Sequence, residues 1–585
     1  MCGIIGYTGP NNASDIILTG LKRLEYRGYD SWGIAAKKGA GLFTLKRAEK
    51  LGAFDGELPE THTAIGHSRW ATHGGVSERN AHPHLSCDGK IAVVHNGIIE
   101  NYQELREYLM SKGHTFSSDT DTEVIAHLIE EYAKAHSFRE SVLKAIEHLK
   151  GSYAIVAIKA DENEVIGARK DSPLVVGIGD GEYFLASDVP AFIDRTRRVV
   201  FLGDEEMAVL NSGVKLYDVT TGKEVERAEK EIDWDPEQAS KGEFEHYMMK
   251  EISEQSETIK KVLAHSDEEI MGVANKINDA FGVFFVACGS SYHAALTASY
   301  IFSKITKKHI NVVLASEFPY YEDFLTERTL MIPISQSGET ADVMQAVKVA
   351  KKKGTKVLAI VNVMGSSLMR IADWSLMMNA GPEICVLSTK TYTSQVSLLT
   401  MLAYACAGKL GEARDLLGKT AEEARVITSA ETRIRLVELA SKLKEKEDLY
   451  IIGRGTNYPT ALEAALKIKE VSYIHAEGFA GGELKHGSIA LIEKDTPCIV
   501  IAPHDETFAE TISNAMEIKS RGGFIIGLSP EANEVFDFHL PIPTHGETNV
   551  ILNIIPVQVM AYYLALLRGC DPDKPRNLAK SVTVK

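Results

Sequence analysis

Between residues 281 and 542 the chain writes one pattern twice, and that repeat limits the fold more than any other feature. FGVFFVACGSS (281–291) is an unbroken apolar run that closes on small polar residues, and DLYIIGRGTN (448–457) has the same form. TLMIPISQSGET (329–340) parallels TPCIVIAPHDET (496–507), and IADWSLMM (371–378) parallels VFDFHLPI (535–542). Gly289 recurs as Gly455, Thr340 as Thr507 and Asp373 as Asp537, a nearly constant spacing of about 165 residues. Strands that are apolar throughout must be covered on both faces, which predicts parallel sheets with helices on either side. Sheets of that kind bind ligands outside the carboxyl ends of their strands. Two similar doubly wound α/β lobes are therefore expected, at 263–410 and 411–575.

The first 225 residues read differently, as an α+β domain. Short apolar strands (91–94, 153–158) alternate with Gly-rich turns, and residues 123–135 carry apolar side chains at helical spacing. DWDPEQASKG (233–242) is polar, contains Pro236 and opens a helical run over 246–261; residues 226–262 are assigned as linker and connecting helix. Residues 576–585 form a C-terminal tail. The 80 acidic residues outnumber the 64 basic ones, giving a formal net charge of −16. That argues against nucleic acid as a partner. The seven cysteines are odd in number, widely spaced and without a C-x-x-C pair, the pattern of a reduced compartment. The N-terminus has no basic and apolar leader. The apolar stretch 550–567 is interrupted by Asn553, Pro556 and Gln558, so it reads as a buried helix. A cytoplasmic chain with no membrane or nucleic-acid partner is expected.

Cys2 follows Met1 directly. If Met1 is removed, a thiol and a free α-amino group share one residue. Such an amine titrates near neutrality and can serve as the thiol's base. CGIIGY, LEYRGYDSWGI (24–34), GHSRWATHG (66–74), HNGIIENY (95–102) and SDTDTEVI (118–125) follow in order. Together they resemble the glutaminase domain of class II, N-terminal-nucleophile amidotransferases. The resemblance implies that Cys2 attacks the glutamine side-chain amide and releases ammonia. It implies an oxyanion hole from Asn96 and Gly97, a carboxylate clamp at Arg69 and an ammonium site at Asp121. Thr72 and His73 then line the pocket, Arg27 and Gly28 support it, and Trp70 gates an ammonia channel. Singly, Arg69 reads as a surface ion pair and Asp121 as a helix cap; the ordered motifs favour the catalytic reading. Six histidines fall between His62 and His95. With no carboxylate or Cys at ligand spacing among them, they are read as loop histidines around the glutamine site, with no metal and no cofactor.

In the repeat, SQSGET (335–340) follows a strand and precedes a helix, an arrangement that gathers hydroxyls and N–H groups into an anion site. Ser and Thr also cap helices of every kind, so the loop alone is a weak signal. ASEF (315–318), SQSGETAD (335–342), NAGPEICVLSTK (379–390), ALKIKEVSYIHAEGFAGGELKHG (465–487) and PRNLAKSVTVK (575–585) resemble sugar isomerase (SIS) domains. The fusion resembles the glucosamine-6-phosphate synthase family over essentially the whole chain. The resemblance implies conversion of fructose 6-phosphate and glutamine to glucosamine 6-phosphate and glutamate. Ser290, Ser291, Ser335, Gln336, Ser337 and Thr340 match the hexose-phosphate site, and Val386, Ser388 and Ala579 match sugar contacts. Glu470 matches the base that moves a proton between C1 and C2, and Lys467 a helper three residues away on the same helix face. Lys580 matches a Schiff-base amine. His486 matches a ring-opening residue supplied by a neighbouring subunit, which implies a homodimer or higher oligomer. CGSS stands where many members read CGTS; Ser290 keeps the hydroxyl. Another ketose phosphate as substrate, or a phosphosugar-sensing regulator without catalysis, are the competing readings.

Overall fold

The computed structural model describes residues 2–54, 56–71, 73–232 and 240–583. The expected linker segment 233–242 therefore lies mostly outside the described residues. The chain divides into two compact units, Met1–Ala239 with Ala579–Lys585, and Ser240–Leu578.

The first unit is built on an eight-stranded and a seven-stranded sheet. At the centre of the first, strand Gly3–Thr8 pairs antiparallel with Thr63–Arg69, which in turn pairs with Ser31–Lys38. In the second, strand Ile91–Ile99 pairs antiparallel with Gly151–Lys159. Period-two alternation explains the layering. Ala92, Val94, Ala154 and Val156 face Ile4, Ala35 and Ile65 of the other sheet. Ile91, Val93, Ile155 and Ala157 face the helices Tyr102–Ser111, Glu123–Ala133 and Phe138–Glu147. Helix Ala13–Leu24 covers the outer face of the first sheet. Cys2 immediately precedes the central strand Gly3–Thr8.

The second unit contains two five-stranded sheets with all pairings parallel. Both have the strand order 2-1-3-4-5, counted within each lobe. The repeat read from sequence is thus a repeat of topology. It extends to single side chains. Asp373 accepts the Val357 N–H at 2.9 Å and the Lys351 ammonium at 2.9 Å. Asp537 accepts the Ile525 N–H at 2.8 Å and pairs with Lys519. One core runs through both lobes, with helices Lys390–Cys406, Asn457–Ser472 and Asn549–Leu567 inside it. Gly546–Leu567 is long and apolar enough to cross a membrane, yet 83% of its apolar window is buried within the protein, so it is a core helix. Pro556 lies inside it.

Two expectations need adjustment. The helical run over 246–261 is two helices, Tyr247–Ser253 and Gln255–Leu263, meeting at Glu254. Ser290 and Ser291 were expected at a strand end but lie in the first turn of helix Gly289–Thr306, because Gly289 takes a φ of +54° and starts the helix there.

Burial pushes the Asp373 carboxyl up, but the Lys351 ammonium and the Val357 N–H outweigh it and hold the group below the usual carboxylate range. A depressed folded value means stabilisation present at neutral pH and lost as pH falls through the carboxylate range. Asp373→Ala is expected to cost about 1–2 kcal/mol at pH 7. Thermal unfolding of the two proteins, compared at pH 7 and at pH 4, should show the gap narrowing in acid.

Candidate active sites

In the first unit, pairing of Gly3 with Ser68 brings Cys2 beside the end of strand Thr63–Arg69. The Trp70 N–H donates to Cys2 Sγ at 3.1 Å. That backbone is bolted from below. Asp30 N–H donates to Arg69 O at 2.9 Å, and Ala71 N–H to Asp30 Oδ2 at 2.9 Å. A Cβ on Gly28 would lie 2.8 Å from Arg69 C and Trp70 N, so only glycine permits this approach. Arg27 and Tyr26 both reach Asp188, at 2.5 and 2.6 Å. Asn96 Nδ2 donates to the Cys2 carbonyl at 2.8 Å. Gly97 has a φ of +123°, and a Cβ there would stand 2.0 Å from Ser152 O. No other residue fits that position.

The Arg69 guanidinium is buried and donates to the carbonyls of His73, Gly74 and Gly75. Asp121 is buried too, with Oδ2 accepting the Ile99 N–H at 2.8 Å. His73 stacks edge-on against Tyr102, ring centroids 5.8 Å apart. Trp70 meets Tyr29 edge-on at 5.8 Å. Thr72 lies outside the described residues. Burial pushes the Cys2 thiol above its usual value, and the Trp70 N–H and the Arg69 charge oppose this without overcoming it. A thiol in that state needs a base before it can attack.

His67 was not singled out from the sequence. Its Nε2 faces Asn96 Oδ1 and His95 O, each at 3.0 Å. Two acceptors require that Nε2 carry the proton. The amide of Asn96 is thereby oriented: Oδ1 toward His67, Nδ2 toward Cys2. His67 stacks on His82 with centroids 4.1 Å apart, and His82 meets His84 at 4.8 Å. Burial depresses all of them: His67 falls to about 3, His82 and His84 well below the usual value, and His95 below it as well.

In the second unit, helix Asn457–Ser472 presents Glu463, Lys467 and Glu470 along one face, as spacings of three and four require. The Lys467 ammonium is buried, 3.3 Å from Glu463 Oε1 and 2.8 Å from Glu470 Oε2. It also donates to Ser290 Oγ at 3.0 Å, and Ser290 donates to Glu463 Oε1 at 2.8 Å. His293 Nδ1 lies 2.8 Å from Glu463 Oε2. Burial lowers the Lys467 ammonium's proton affinity, but Glu463 and Glu470 outweigh it and raise it above the usual value. Burial likewise raises Glu463, and Lys467 with His293 outweighs it to leave the carboxyl lowered. Lys467 is thus a fixed cation. Glu463 and His293 escaped the sequence reading, although the i,i+4 spacing of Glu463 to Lys467 was visible.

The loop SQSGET is held by hydrogen bonds among its own residues. Gly338 N–H donates to Ser335 Oγ at 3.0 Å, Glu339 N–H to Ser337 Oγ at 3.2 Å, and Ser335 and Thr340 hydroxyls lie 3.2 Å apart. Gln336 offers its carbonyl to Asn362. Gly338 has a φ of +65°, and a Cβ would meet Ser366 Oγ at 2.2 Å. The second lobe carries Asp505 where the first has Gly338, and that carboxylate takes both the N–H and the hydroxyl of Thr507. Ser291 accepts from Gln395 at 2.9 Å, Ser388 meets Thr391 at 2.6 Å, and Val386 N–H donates to Asp573 O at 3.3 Å. His486 is exposed at the end of the short turn Glu483–His486, and no recorded contact joins it to Lys467 or Glu470. Ala579 and Lys580 cluster with the first unit, whereas Glu470 belongs to the second.

A glutamine amidotransferase domain model matches residues 67–194, and a SIS domain model matches twice, at 276–405 and 442–568. Over its full length the chain is 50% identical to glutamine–fructose-6-phosphate aminotransferase (isomerizing) of Thermococcus kodakarensis and 49% identical to that of Pyrococcus horikoshii, each covered completely. The chain belongs to the glutamine–fructose-6-phosphate aminotransferase (isomerizing) family. Among solved structures, the C-terminal domain of the Francisella tularensis glucosamine-fructose-6-phosphate aminotransferase matches 57% of the chain and all of its own length, at 34% identity and a TM-score of 0.52. Members of this family thus share both the amidotransferase and the duplicated SIS parts.

The neutral histidines carry a sign. An unfolded histidine titrates near 6.5, so below that pH the unfolded chain takes up protons that the folded cluster refuses. Stability of the first unit is complete above that value and falls as pH drops, by up to about 1.4 kcal/mol per pH unit for each such histidine. Thermal unfolding from pH 7.5 to 5.5 should show a falling midpoint, with a shallower slope in His82→Gln. A flat profile in the wild type is the outcome that counts against neutral burial.

Proposed function

We propose that the chain converts fructose 6-phosphate and glutamine to glucosamine 6-phosphate and glutamate in the cytoplasm, as a homodimer or larger homo-oligomer, without a cofactor. The domain division 1–225, 226–262, 263–410, 411–575 and 576–585 goes with this reading. One observation carries it: a Lys467 ammonium buried between Glu463 and Glu470 and bonded to Ser290. A binding module has no need of a paired buried cation beside its sugar site. A phosphosugar sensor is therefore disfavoured.

In the first step, with Met1 removed, the Cys2 thiol passes its proton to its own α-amino group. The thiolate adds to the glutamine side-chain carbonyl carbon. Negative charge on the oxygen is met by Asn96 Nδ2 and the Gly97 N–H, donors of the kind that stabilise such charge by several kcal/mol. Arg69 and Asp121 hold the glutamine carboxylate and ammonium, with Thr72 and His73 lining the pocket. Collapse returns the proton to the leaving nitrogen, expels ammonia and leaves a thioester, which water hydrolyses to glutamate.

In the second step, Ser290, Ser291, Ser335, Gln336, Ser337 and Thr340 hold the hexose phosphate, and Val386, Ser388 and Ala579 contact the sugar. His486 of the neighbouring subunit opens the ring. The Lys580 amine adds to the C2 carbonyl and loses water to give an imine. Ammonia, admitted past Trp70, displaces the lysine. Glu470 removes the C1 proton of the imine and delivers it to C2, while Lys467, 2.8 Å away, fixes its position. Hydroxyl and N–H donors at a helix start suit phosphate in an otherwise acidic protein.

Purified protein supplied with both substrates should yield equal amounts of glutamate and glucosamine 6-phosphate. Cys2→Ala should lower glutamate release by about three orders of magnitude. Glu470→Gln should keep glutamate release and cut hexosamine phosphate by about 100-fold or more. Trp70→Ala should make glutamate exceed amino sugar. Glutamate formed without any amino sugar in the wild type would overturn the choice of fructose 6-phosphate.

A further inference from the structure

Away from Cys2, four side chains of the first unit converge in a way the reaction does not use. Cys87 lies in the turn between strands His84–Leu85 and Ile91–Ile99. His114 follows helix Tyr102–Ser111, and His127 and Glu130 stand one helical turn apart on helix Glu123–Ala133. One ligand atom from each lies within 4.8 Å of every other. Cys87 Sγ is 3.6 Å from His114 Nδ1 and 3.5 Å from His127 Nδ1. Glu130 Oε2 is 3.1 Å from His114 Nδ1 and 3.4 Å from His127 Nδ1.

We propose that Cys87, His114, His127 and Glu130 form a structural zinc site. Bond lengths of about 2.3 Å to sulfur and about 2.0–2.1 Å to nitrogen and oxygen set tetrahedral edges of about 3.3–3.6 Å. The four recorded separations lie within a few tenths of an ångström of those edges. A hydrogen-bonded cluster has no reason to bring all four atoms to one centre. The surroundings are those of a metal site. His114 Nε2 lies 3.0 Å from Glu131 Oε2, and His127 Nε2 lies 3.5 Å from Glu123 Oε1, so each imidazole has a carboxylate behind it. Glu130 is held in place by the N–H groups of Cys87 and Asp88, at 2.9 and 3.1 Å, and the Thr115 N–H reaches Cys87 Sγ at 3.3 Å. A thiolate, two neutral imidazoles and a carboxylate balance the charge of a divalent cation; binding releases the thiol proton. Four protein ligands leave no open position, which marks a structural role.

The clip has a purpose in the fold. Glu123, behind His127, also accepts the N–H groups of Ser117 and Ser118, each at 2.7 Å. Those residues lead directly into Asp121. The ion would tie the turn at Cys87, the segment at His114 and the helix that follows Asp121 into one piece. The site is invisible in the sequence, where no metal was expected, because Cys87 and Glu130 stand 43 residues apart and the four ligands come from three separate segments.

The test uses the full chain, freed of metal by a chelator under reducing conditions and titrated with Co²⁺ and then Zn²⁺. One equivalent of Co²⁺ per chain is expected, with a near-ultraviolet thiolate-to-cobalt band and the strong visible absorption of a tetrahedral ion, both erased by one equivalent of Zn²⁺. Cys87→Ala and His114→Ala should lose the band, and Cys2→Ala should keep it. Zinc should raise the unfolding midpoint of the wild type but not of Cys87→Ala; because Cys87 is exposed, that variant is expected to fold, which far-ultraviolet circular dichroism checks. Absence of stoichiometric metal in the wild type, or a thiolate band that persists in Cys87→Ala, overturns the proposal.

Discussion

The Lys467 ammonium is the point on which the second unit turns. Taking a charge of that size out of water costs several kcal/mol even after relaxation. The protein offsets this with two carboxylates on the same helix and a hydroxyl from the other lobe. The pairing is therefore also a joint. Ser290 lies in the helix after the first strand of lobe one, Glu463 and Lys467 in the helix after the first strand of lobe two, and the three bond to one another. The lobes cannot slide apart without stranding a buried cation. Well-packed apolar residues hold such a joint about as firmly, since buried ion pairs add little net stability. What an apolar joint lacks is a carboxylate poised beside a sugar site. The network is better explained by chemistry than by stability.

The two lobes repeat a topology but not a loop. Both lobes have the same strand order, and both tie their fourth strand with an aspartate and a lysine. They diverge at the loop after the third strand. At Gly338 the first-lobe backbone takes a positive φ and the loop closes on its own Ser335 and Ser337 hydroxyls, whereas Asp505 spends its carboxylate on Thr507 and adds a negative charge. The matched loops differ at four of six positions, Ser335, Gln336, Ser337 and Gly338 against Ala502, Pro503, His504 and Asp505.

The fold was legible because its signals are local and periodic. Continuous apolar runs spoke for parallel sheets, and the repeat of Gly, Thr and Asp positions located matching strands. Asn96, Gly97 and Arg69 were legible through ordered motifs. What was not legible depends on contacts across elements. Nothing in the neighbourhood of His67 says that its ring will lie against Asn96, because the two are on strands of different sheets. Glu463 looks like an ordinary helical glutamate until Ser290 and His293 arrive from another lobe. Lys580 presents the reverse case: the motif is plain, but residues 579–585 cluster with the first unit while Glu470 belongs to the second.

The neutral histidines complete the logic of the first site. A cationic imidazole behind Asn96 would pull electron density from its Oδ1 and strengthen the donor, but it would also put charge into a sheet interface that has no counterion beside His67. Burial forbids that charge, and the ring instead serves as a fixed N–H donor. The consequence reaches the nucleophile. Burial holds His67, His82, His84 and His95 below the ordinary imidazole range, so these four rings are weak bases for a Cys2 proton. The thiol is itself pushed up by burial. With Met1 removed, an α-amino group on Cys2 would titrate near neutrality a fixed few bonds from the sulfur, which is why the proposed mechanism uses it as the base. The chemistry of the site thus rests on what the sheets exclude, as much as on the groups they present.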